Sequence, residues 1–461
     1  MKGSNEYMKK LFGSSGIRGI VGKELDSEFF LRIGKAVGTT LSLGAEVCIA
    51  TDTRTSRDLV RNAFCEGLLS TGVNITNLGI LPTPALAKLT NTMNFDTGVM
   101  VTASHNPPEY NGIKLFNGDT IGYDTEQERH IEEVFFSDKY RCGTGSIKEG
   151  KGAYQNYFQQ IKEHLGDRTI LYKPKIVVDP GNGAASIFAS KILRQMGYEV
   201  VSLNDVQDGR FPGRNPEPKA DTLGDTIRIV NEEDAEIAIC FDGDADRVVF
   251  CDREGFLGFD EMALFVSLLR MKETGKTTIA TTVESGRLFE LVHGENKGKI
   301  MRGKVGDVNV AHLSKQLDAA LGVESIGVFI YPELGYYPDS IFTALYLLRN
   351  LTKPGQLREY YSNLPKLYSQ KVKIPCNNQM KTNIMKSLEN LSIEQLQKLG
   401  EQPSKNTIDG LRIEFNDSWI LIRPSGTEPV IRIIVESDTI SRASVLINSA
   451  QDIVQRIINS Y

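Results

Sequence analysis

Strand-like and helix-like segments alternate along the first three-quarters of this sequence. Apolar runs of strand length at residues 46–50 and 73–78 follow segments of helical period at 26–43 and 57–71, and Asp26 is placed to cap the first helix. The same alternation returns after residues 175 and 260. Helices that alternate with strands pack on the faces of a sheet, so the pattern predicts α/β domains.

The chain is long enough for three or four domains, since it has 461 residues. A polar, glycine-rich stretch at 137–152 predicts the first boundary, and a stretch with Lys and Pro at 364–374 predicts a linker to a last, shorter domain. In that domain strands at 408–415, 419–422 and 430–435 precede one helix at 441–458, which indicates an α+β fold. The predicted domains are 1–150, 151–252, 253–366 and 367–461.

Composition excludes several classes of function. Hydrophobic residues make up 40% and charged residues 24%, as in ordinary globular proteins, and the net charge of −5 argues against a nucleic-acid surface. No apolar run approaches the ~18 residues of a membrane helix, and the N-terminus lacks the apolar core of a signal peptide. Six cysteines without Cys-x-x-Cys spacing fit a reducing compartment, so we expect a cytoplasmic protein without nucleic-acid or membrane partners.

An acidic loop lies between two apolar, strand-like runs at 236–241 and 248–251. Residues 242–247 read Asp-Gly-Asp-Ala-Asp-Arg. In extended chain Asp242, Asp244 and Asp246 would share one face, where their carboxylates repel one another. A hard divalent cation relieves that repulsion, and so short a loop suits the compact shell of Mg²⁺. The loop therefore predicts a magnesium site.

The acidic loop also allows two interpretations other than a magnesium site, and its sequence excludes a third. An EF-hand needs Gly at the sixth position and Glu at the twelfth, where this chain has Arg247 and Arg253, so that reading is excluded. Asp242 as a phosphoryl-accepting nucleophile after a strand stays open. A solvated acidic turn without a ligand also stays open.

A serine loop follows the strand-like run at 97–101. Residues 102–107 read Thr-Ala-Ser-His-Asn-Pro, and a loop at the end of a buried strand presents Ser104 to a ligand. The hydrolase elbow Gly-x-Ser-x-Gly is absent. Neighbours in extended chain face apart, so we expect no direct pair of Ser104 with His105 and interpret His105 as a phosphate or substrate donor. A turn or cap role for the serine remains the alternative.

Polar loops elsewhere have the composition of anion sites. Residues 12–19 place glycines and serines around Arg18, a side chain suited to bidentate phosphate binding. Residues 423–429, Arg-Pro-Ser-Gly-Thr-Glu-Pro, combine hydroxyls and free backbone N–H groups beside an arginine, as in an anion nest. Residues 52–57 are similar or simply begin a helix. Residues 181–183, Gly-Asn-Gly, indicate a strand-to-helix turn, because the dinucleotide fingerprint is incomplete.

Together these loops resemble those of the α-D-phosphohexomutase family, which includes phosphoglucomutases, phosphomannomutases and phosphoglucosamine mutases. The resemblance extends from residue 12 to about residue 433, in the family's order. It implies an α/β fold of four domains around a central cleft: three α/β units with mixed sheets and a smaller C-terminal α+β domain with an antiparallel sheet. It implies interconversion of hexose 1-phosphate and 6-phosphate through a phosphoserine, with a hexose 1,6-bisphosphate as bound intermediate and activator.

The resemblance also implies roles for individual residues. Ser104 would carry the phosphoryl group and would join the three loop aspartates, Asp242, Asp244 and Asp246, as ligands of one Mg²⁺ per chain. The residues implied near the transferring phosphoryl group are Arg18, His105, Lys114 and Arg247. The residues implied for binding the sugar and its distal phosphate are Glu333, Arg423, Ser425, Gly426, Thr427 and Arg432.

The chain departs from the family in the third domain. The sugar-reading loop usually has Gly-Glu-x-Ser/Asn-Gly, whereas residues 331–337 read Tyr-Pro-Glu-Leu-Gly-Tyr-Tyr. Leu334 replaces a residue that hydrogen-bonds a hydroxyl, so glucose, mannose and glucosamine phosphates all remain possible. A phosphosugar-binding or regulatory relative without mutase activity is the second hypothesis, and an aspartyl phosphatase using Asp242 is the third. Monomer and homo-oligomer remain equally open.

Overall fold

The structure, a computed structural model, describes residues 10–13, 16–166, 170–295, 297–426 and 428–461. The chain divides into two compact units. The first comprises residues 1–259 and 326–356, and the second comprises residues 260–325 and 357–461.

A six-stranded mixed sheet forms the N-terminal part of the first unit. Its order is β1-β5-β4-β2-β3-β6, in which β2 is parallel to β3 and β4, and β5 is antiparallel to β1 and β4. The Asp26 side chain accepts a hydrogen bond from Phe29 N and caps α1 as predicted. The elements are β1 (Ile17–Ile20), α1 (Ser27–Thr40), β2 (Glu46–Thr51), α2 (Arg57–Leu69), β3 (Asn74–Ile80), α3 (Thr83–Thr92), β4 (Thr97–Val101), β5 (Tyr110–Asn117), α4 (Thr125–Ser137) and β6 (Ile147–Glu149).

Residues 137–152, the predicted first domain boundary, include a short strand, β6. Within this stretch β6 pairs in parallel with β3 and forms the edge of the first sheet. All three residues of β6 are exposed, so the strand lacks the apolar pattern by which a sequence reveals a strand.

A five-stranded mixed sheet forms the second part of the first unit. Its order is β11-β10-β9-β7-β8, in which β7 is parallel to β8 and β9 while β9 and β10 form an antiparallel hairpin. Every residue of β9 is buried, so the hairpin that carries the acidic loop is fixed in the core. The elements are α5 (Ala153–Leu165), β7 (Lys175–Asp179), α6 (Phe188–Gln195), β8 (Glu199–Ser202), α7 (Gly224–Glu232), β9 (Ile237–Phe241), β10 (Val248–Asp252) and β11 (Gly255–Leu257).

The next segment contributes elements to both units. In the second unit β12 pairs in parallel with β13 and β14. In the first unit α11 is buried almost throughout and packs on β10 and α5. The elements are α8 (Phe259–Thr274), β12 (Thr278–Thr282), α9 (Leu288–Glu295), β13 (Lys299–Gly303), α10 (Asp307–Leu317), β14 (Leu321–Glu324), β15 (Val328–Ile330) and α11 (Ser340–Asn350).

An antiparallel five-stranded sheet of order β16-β20-β19-β18-β17 forms the C-terminal part of the second unit. Helix α15 packs against it. The elements are α12 (Gln356–Ser362), β16 (Tyr368–Pro375), α13 (Asn378–Glu389), α14 (Ile393–Gln397), β17 (Ser404–Asn406), β18 (Leu411–Glu414), β19 (Ser418–Pro424), β20 (Val430–Ser437) and α15 (Ile440–Asn459).

The predicted linker at 364–374 also contains a strand. Strand β16 occupies most of it and pairs with β20 along eight consecutive residues. It is an edge strand with only one buried residue, so its hydrogen bonds to β20 hold it in place more than its side chains do.

The predicted fold class is confirmed: mixed sheets with helices come first and an antiparallel α+β part comes last. The domain boundaries after residues 150, 252 and 366 stay predictions. Among the described residues, no helix combines the length and the apolar character that crossing a membrane requires.

Candidate active site

The acidic loop brings three carboxylates together in the first unit. Asp242, Asp244 and Asp246 are at most 4% exposed, and one oxygen of each lies within 4.8 Å of the others. The loop is a tight turn, with Ala245 in the left-handed region at φ 59°, so the extended conformation assumed from the sequence is wrong. The turn, rather than strand alternation, makes the side chains converge.

The electrostatics of the loop favour a bound cation. Burial and the neighbouring charges of Asp246 and Asp244 raise the pKa of Asp242 well above its usual value. Burial and the charge of Asp246 also raise the pKa of Asp244. Although burial acts on Asp246 in the same direction, the charges of Lys114 and Arg247 hold its pKa below the ordinary value. Three carboxylates at this spacing are therefore costly to ionise together without further positive charge.

The carboxylate oxygens also leave coordination positions available. Asp244 Oδ1 and Asp246 Oδ1 are buried, and neither accepts a hydrogen bond within the described part of the chain. Buried polar atoms of this kind normally have a partner. All-oxygen donors are the ligands that hard divalent cations prefer. The residues present therefore fit a metal ion such as Mg²⁺.

Ser104 lies against this acidic loop. Its Oγ donates a hydrogen bond to Asp242 Oδ2 at 2.8 Å, and its side chain is fully buried. The close approach needs a glycine opposite, because a Cβ on Gly243 would lie 2.5 Å from the Ser104 carbonyl oxygen. Thus the serine loop and the acidic loop, 138 residues apart in sequence, meet at one point.

The expectation that Ser104 and His105 do not contact each other is wrong. Ser104 Oγ and His105 Nδ1 are 3.3 Å apart. Ser104 has φ 49°, in the left-handed region rather than the extended one, so the two side chains turn to the same side. Burial, followed by the charges of Arg247 and Arg18, lowers the pKa of His105 to about 2, so the imidazole beside Ser104 is neutral.

The predicted cationic residues gather around the same point. Lys114 Nζ donates to Asp246 Oδ2 at 2.6 Å. Arg247 donates its backbone N–H to Asp242 Oδ1 at 3.1 Å, and its Nε lies 3.9 Å from Asp246 Oδ1. Arg18 approaches the serine loop, with Nη1 3.4 Å from Asn106 Oδ1. Three positive charges thus surround the serine and the acidic loop.

The predicted loop at 331–337 also belongs to the first unit. Glu333 is exposed to solvent, whereas the Leu334 side chain is buried at 4% exposure. Lys88 Nζ donates to the Leu334 carbonyl oxygen at 2.6 Å and holds the turn. The loop therefore presents a carboxylate to solvent, and its leucine serves the core.

The predicted phosphate loop of the C-terminal sheet is in the second unit. Arg423 pairs with two carboxylates of that unit, Glu284 and, at 2.9 Å, Asp409. Ser425 is buried, and Gly426 is exposed with open space around it. Thr427 lies outside the described residues.

Two lysines that the sequence did not single out, Lys373 and Lys381, lie at this loop beside the predicted Arg432. Arg432 Nη2 and Lys373 Nζ both contact the Glu428 carboxylate, at 2.9 and 2.8 Å. Lys381 Nζ donates to the carbonyl oxygens of Ser425 and Glu428 at 2.6 and 2.5 Å. Neither lysine has a motif around it, so only the folded sheet reveals their proximity to the loop.

Residues that position the site were also missed or left undecided by sequence reasoning. Thr83, at the start of α3, donates from Oγ1 to Asp244 Oδ2 at 2.6 Å, and its N–H donates to the Asp244 carbonyl oxygen at 2.8 Å. Arg54, in the polar loop after β2, is fully buried beside the serine loop. The Pro-Thr-Pro sequence at 82–84 indicates a helix start and carries no signal for a contact 161 residues away.

Comparison with known protein families gives matches over nearly the whole chain. Models described as phosphoglucomutase/phosphomannomutase alpha/beta/alpha domains I, II and III match residues 9–141, 154–255 and 260–368. The model described as the phosphoglucomutase/phosphomannomutase C-terminal domain matches residues 372–446.

Individual relatives agree with this assignment. A probable phosphoglucosamine mutase of Methanopyrus kandleri is 38% identical over 459 residues, covering 98% of this chain and 99% of that protein. A phosphoglucomutase/phosphomannomutase of Thermococcus kodakarensis is 38% identical over 446 residues, covering 95% and 96%. The crystal structure of a phosphoglucomutase/phosphomannomutase family protein from Burkholderia thailandensis has a TM-score of 0.87 at 26% identity, covering 97% of each chain. Four matching domains and relatives of this similarity place the chain in the phosphoglucomutase/phosphomannomutase family, to which it belongs.

Proposed function

We propose that this family member uses Ser104 as its phosphoryl carrier. We also propose a hexosamine phosphate as the first substrate to test. As a phosphohexomutase the chain is an isomerase that moves a phosphoryl group between two positions of a hexose phosphate. The observation that carries the proposal for Ser104 is its hydrogen bond to Asp242 inside a ring of buried carboxylates and cations. Glucosamine phosphate comes first because relatives 35–38% identical to the chain are named probable phosphoglucosamine mutases.

The proposed reaction has two symmetrical halves. In the first, the bond from phosphorus to Ser104 Oγ breaks, a bond from phosphorus to a sugar hydroxyl oxygen forms, and the hydroxyl proton ends on Ser104 Oγ. The product is a bound hexose 1,6-bisphosphate. After the sugar has turned end for end, its other phosphoryl group returns to Ser104 and the hydroxyl of the released product takes the proton.

The chain's own residues supply positioning and charge for this transfer. Phosphoryl transfer is catalysed chiefly by alignment and by neutralising the equatorial oxygens. We assign that neutralisation to Lys114, Arg247 and Arg18, which carry positive charge near Ser104. His105, held neutral, is suited to hydrogen-bonding with Oγ or with a phosphoryl oxygen rather than to ion pairing.

One Mg²⁺ per chain is part of the proposal. Asp242, Asp244 and Asp246 would hold it, and the phosphate on Ser104 would complete the protein's share of ligands. Bound there, the ion supplies Lewis-acid neutralisation of the phosphoryl oxygens.

Substrate recognition is proposed for two further groups of residues. Glu333, an exposed carboxylate, would accept hydrogen bonds from sugar hydroxyls or from the amino group of a hexosamine. The loop with Arg423, Ser425, Gly426 and Thr427, together with Arg432, would bind the distal phosphate. All six cysteines are free thiols, which suits a reducing compartment, and we propose a cytoplasmic location on that ground.

Replacing the serine tests the proposal directly. Ser104→Ala should lower isomerisation of glucosamine, glucose and mannose 1-phosphates by about three orders of magnitude or more, because the proposed phosphoryl carrier is then missing. Intact mass should show a gain of about 80 Da in the wild type after incubation with hexose 1,6-bisphosphate and none in the variant. Ser42→Ala, at an exposed serine of the same domain, is the control and should behave as wild type.

The same experiment separates the alternatives. The departure of the loop at 331–337 from the family pattern motivates the alternative of a phosphosugar-binding relative without mutase activity, which would bind the sugar phosphates without turnover. An aspartyl phosphatase using Asp242 would release inorganic phosphate and would survive loss of the serine. Undiminished turnover in Ser104→Ala would refute the proposed role of Ser104.

A further inference from the structure

The serine loop has an unusual backbone conformation that something must hold. Ser104 is not a glycine and has φ 49°, a region that residues with a side chain seldom adopt. In this conformation its Oγ reaches Asp242 and its carbonyl oxygen turns toward the interior. Such conformations persist where the surroundings over-determine them.

The guanidinium of Arg54 is the group that meets this carbonyl. Arg54 is 0% exposed, and an arginine has five N–H donors in a rigid fork. Each donor has a separate acceptor: Nε donates to Asp52 Oδ2 at 3.0 Å, and the four Nη hydrogens go to main-chain carbonyl oxygens. Those four acceptors are Ser104 O (2.8 Å), Asn106 O (2.6 Å), Pro107 O (2.5 Å) and Tyr110 O (2.9 Å).

The amide side of Ser104 is tied to the same group. Thr102 Oγ1 donates to Asp52 Oδ2 at 2.7 Å and accepts from Ser104 N at 2.8 Å. Asp52 in turn pairs with Arg54. The N–H and the carbonyl of Ser104 are therefore both fixed by one buried ion pair, which makes no hydrogen bond to the acidic loop or to Glu333 within the described part of the chain.

We propose that Arg54 is a positioning residue for phosphoryl transfer at Ser104. It sets the path of the serine loop so that Oγ stays aligned with the acidic loop, and it takes no part in binding sugar or metal. This inference rests on the proposed role of Ser104. A misplacement of about 1 Å at a reacting group can lower the rate about 100-fold, so the clamp should affect kcat far more than KM.

The test compares Arg54→Lys and Arg54→Ala with Arg61→Lys, an arginine of α2 whose contacts are with Asp58 and Asn62. Both Arg54 variants should lose about 100-fold in kcat with KM changed less than about threefold, because a lysine cannot reproduce the fork. Guanidinium ion added to Arg54→Ala should raise the rate of Ser104 phosphorylation at least about tenfold. Intact-mass measurement over time would follow that rate. Arg61→Lys should behave as wild type.

A second pair of variants covers the case in which the Arg54 variants do not fold. Thr102→Val removes the hydroxyl that joins Asp52 to Ser104 N and should lower kcat about tenfold, whereas Thr102→Ser should keep it. The inference is overturned if the Arg54 variants fold and keep kcat within about twofold of wild type. If they do not fold, it is overturned when Thr102→Val keeps kcat within about twofold of wild type. Failure of the Ser104 proposal has a different signature, since the wild-type protein would then gain no phosphate.

Discussion

At the scale of single residues, the site depends on side chains whose partners are distant in sequence. Ser104 occupies a conformation that costs of the order of 1–3 kcal/mol, and contacts from two other loops retain it. Asp244 is oriented in the same way, since Thr83 binds one of its carboxylate oxygens and leaves the other free. Loss of a hydrogen bond that orients a metal ligand usually lowers the affinity for the metal.

Thr83 therefore offers a test of the metal site that does not rely on turnover. Thr83→Val keeps the shape of the side chain and removes the hydrogen bond to Asp244, so the Kd for Mg²⁺ should rise about 10- to 100-fold. Isothermal titration of the purified protein with Mg²⁺ would measure it. Thr92→Val, at an exposed position of the same helix, is the matched control. An unchanged Kd in Thr83→Val would show that Thr83 does not contribute to Mg²⁺ binding.

At the scale of elements, α11 begins at a buried carboxyl group. Asp339 is the N-cap of α11 and accepts hydrogen bonds from Phe342 N at 2.9 Å and from Tyr157 Oη at 2.8 Å. It is 0% exposed, and burial raises its pKa to about 6. A cap that would ordinarily be charged at neutral pH is thus close to its titration range.

The raised pKa makes a prediction about stability with a definite sign. The folded protein binds the proton of Asp339 more tightly than the unfolded chain does. The contribution of the protonated carboxyl to the free energy of unfolding is therefore fully present below about pH 4 and is lost as the pH rises through about 6. Over this pH range the free energy of unfolding should fall by on the order of 3 kcal/mol because of Asp339. Asn keeps the cap without titrating, so the Tm of Asp339→Asn relative to wild type should rise between pH 4.5 and 7.

The control for this comparison is Thr439→Asn, at the exposed N-cap of α15, where neither side chain titrates. Its Tm difference from wild type should stay nearly constant over the same range. A constant difference for Asp339→Asn as well would contradict the assigned protonation of Asp339.

At the scale of the whole molecule, the chain has two compact units, and each unit contains some of the proposed phosphate-binding residues. Ser104 and its cations are in the first unit, and Arg423 is in the second. Arg423 is paired here with Glu284 and Asp409, so binding a phosphate means exchanging carboxylate partners for phosphate oxygens.

Arg423→Lys tests the distal role. Lysine keeps the charge but cannot bind phosphate in the bidentate manner, so KM for the sugar phosphate should rise about tenfold while kcat changes less than about threefold. Steady-state kinetics with the best of the three hexose phosphates would show the split. Arg442→Lys, in α15 of the same unit, should leave both constants unchanged. A fall in kcat alone would assign Arg423 to the transfer step instead.

The sequence predicted the site loops better than the reasons for their geometry. Aspartate triplets and serines that directly follow a strand are chemically distinctive, so residue type and spacing alone indicate the acidic residues and Ser104. Extended chain predicts that the three aspartates share one face and that Ser104 and His105 face apart, whereas both loops contain left-handed residues, Ala245 and Ser104. Left-handed conformations of residues other than glycine depend on contacts made after folding, so a local reading misses them.

Edge strands and buried cations show the same limit. Strand β6 and much of β16 have no apolar pattern, because main-chain pairing at a sheet edge holds them. The sequence around Arg54 fits either an anion-binding loop or a helix start, and neither interpretation predicts the five hydrogen bonds of its guanidinium. The sequence alone determined the alternation of elements, the loop chemistry and the family, because these depend on residue type and local spacing. Which carboxylates, carbonyl groups and cations meet depends on the tertiary structure, since these contacts join residues 50 to 161 positions apart.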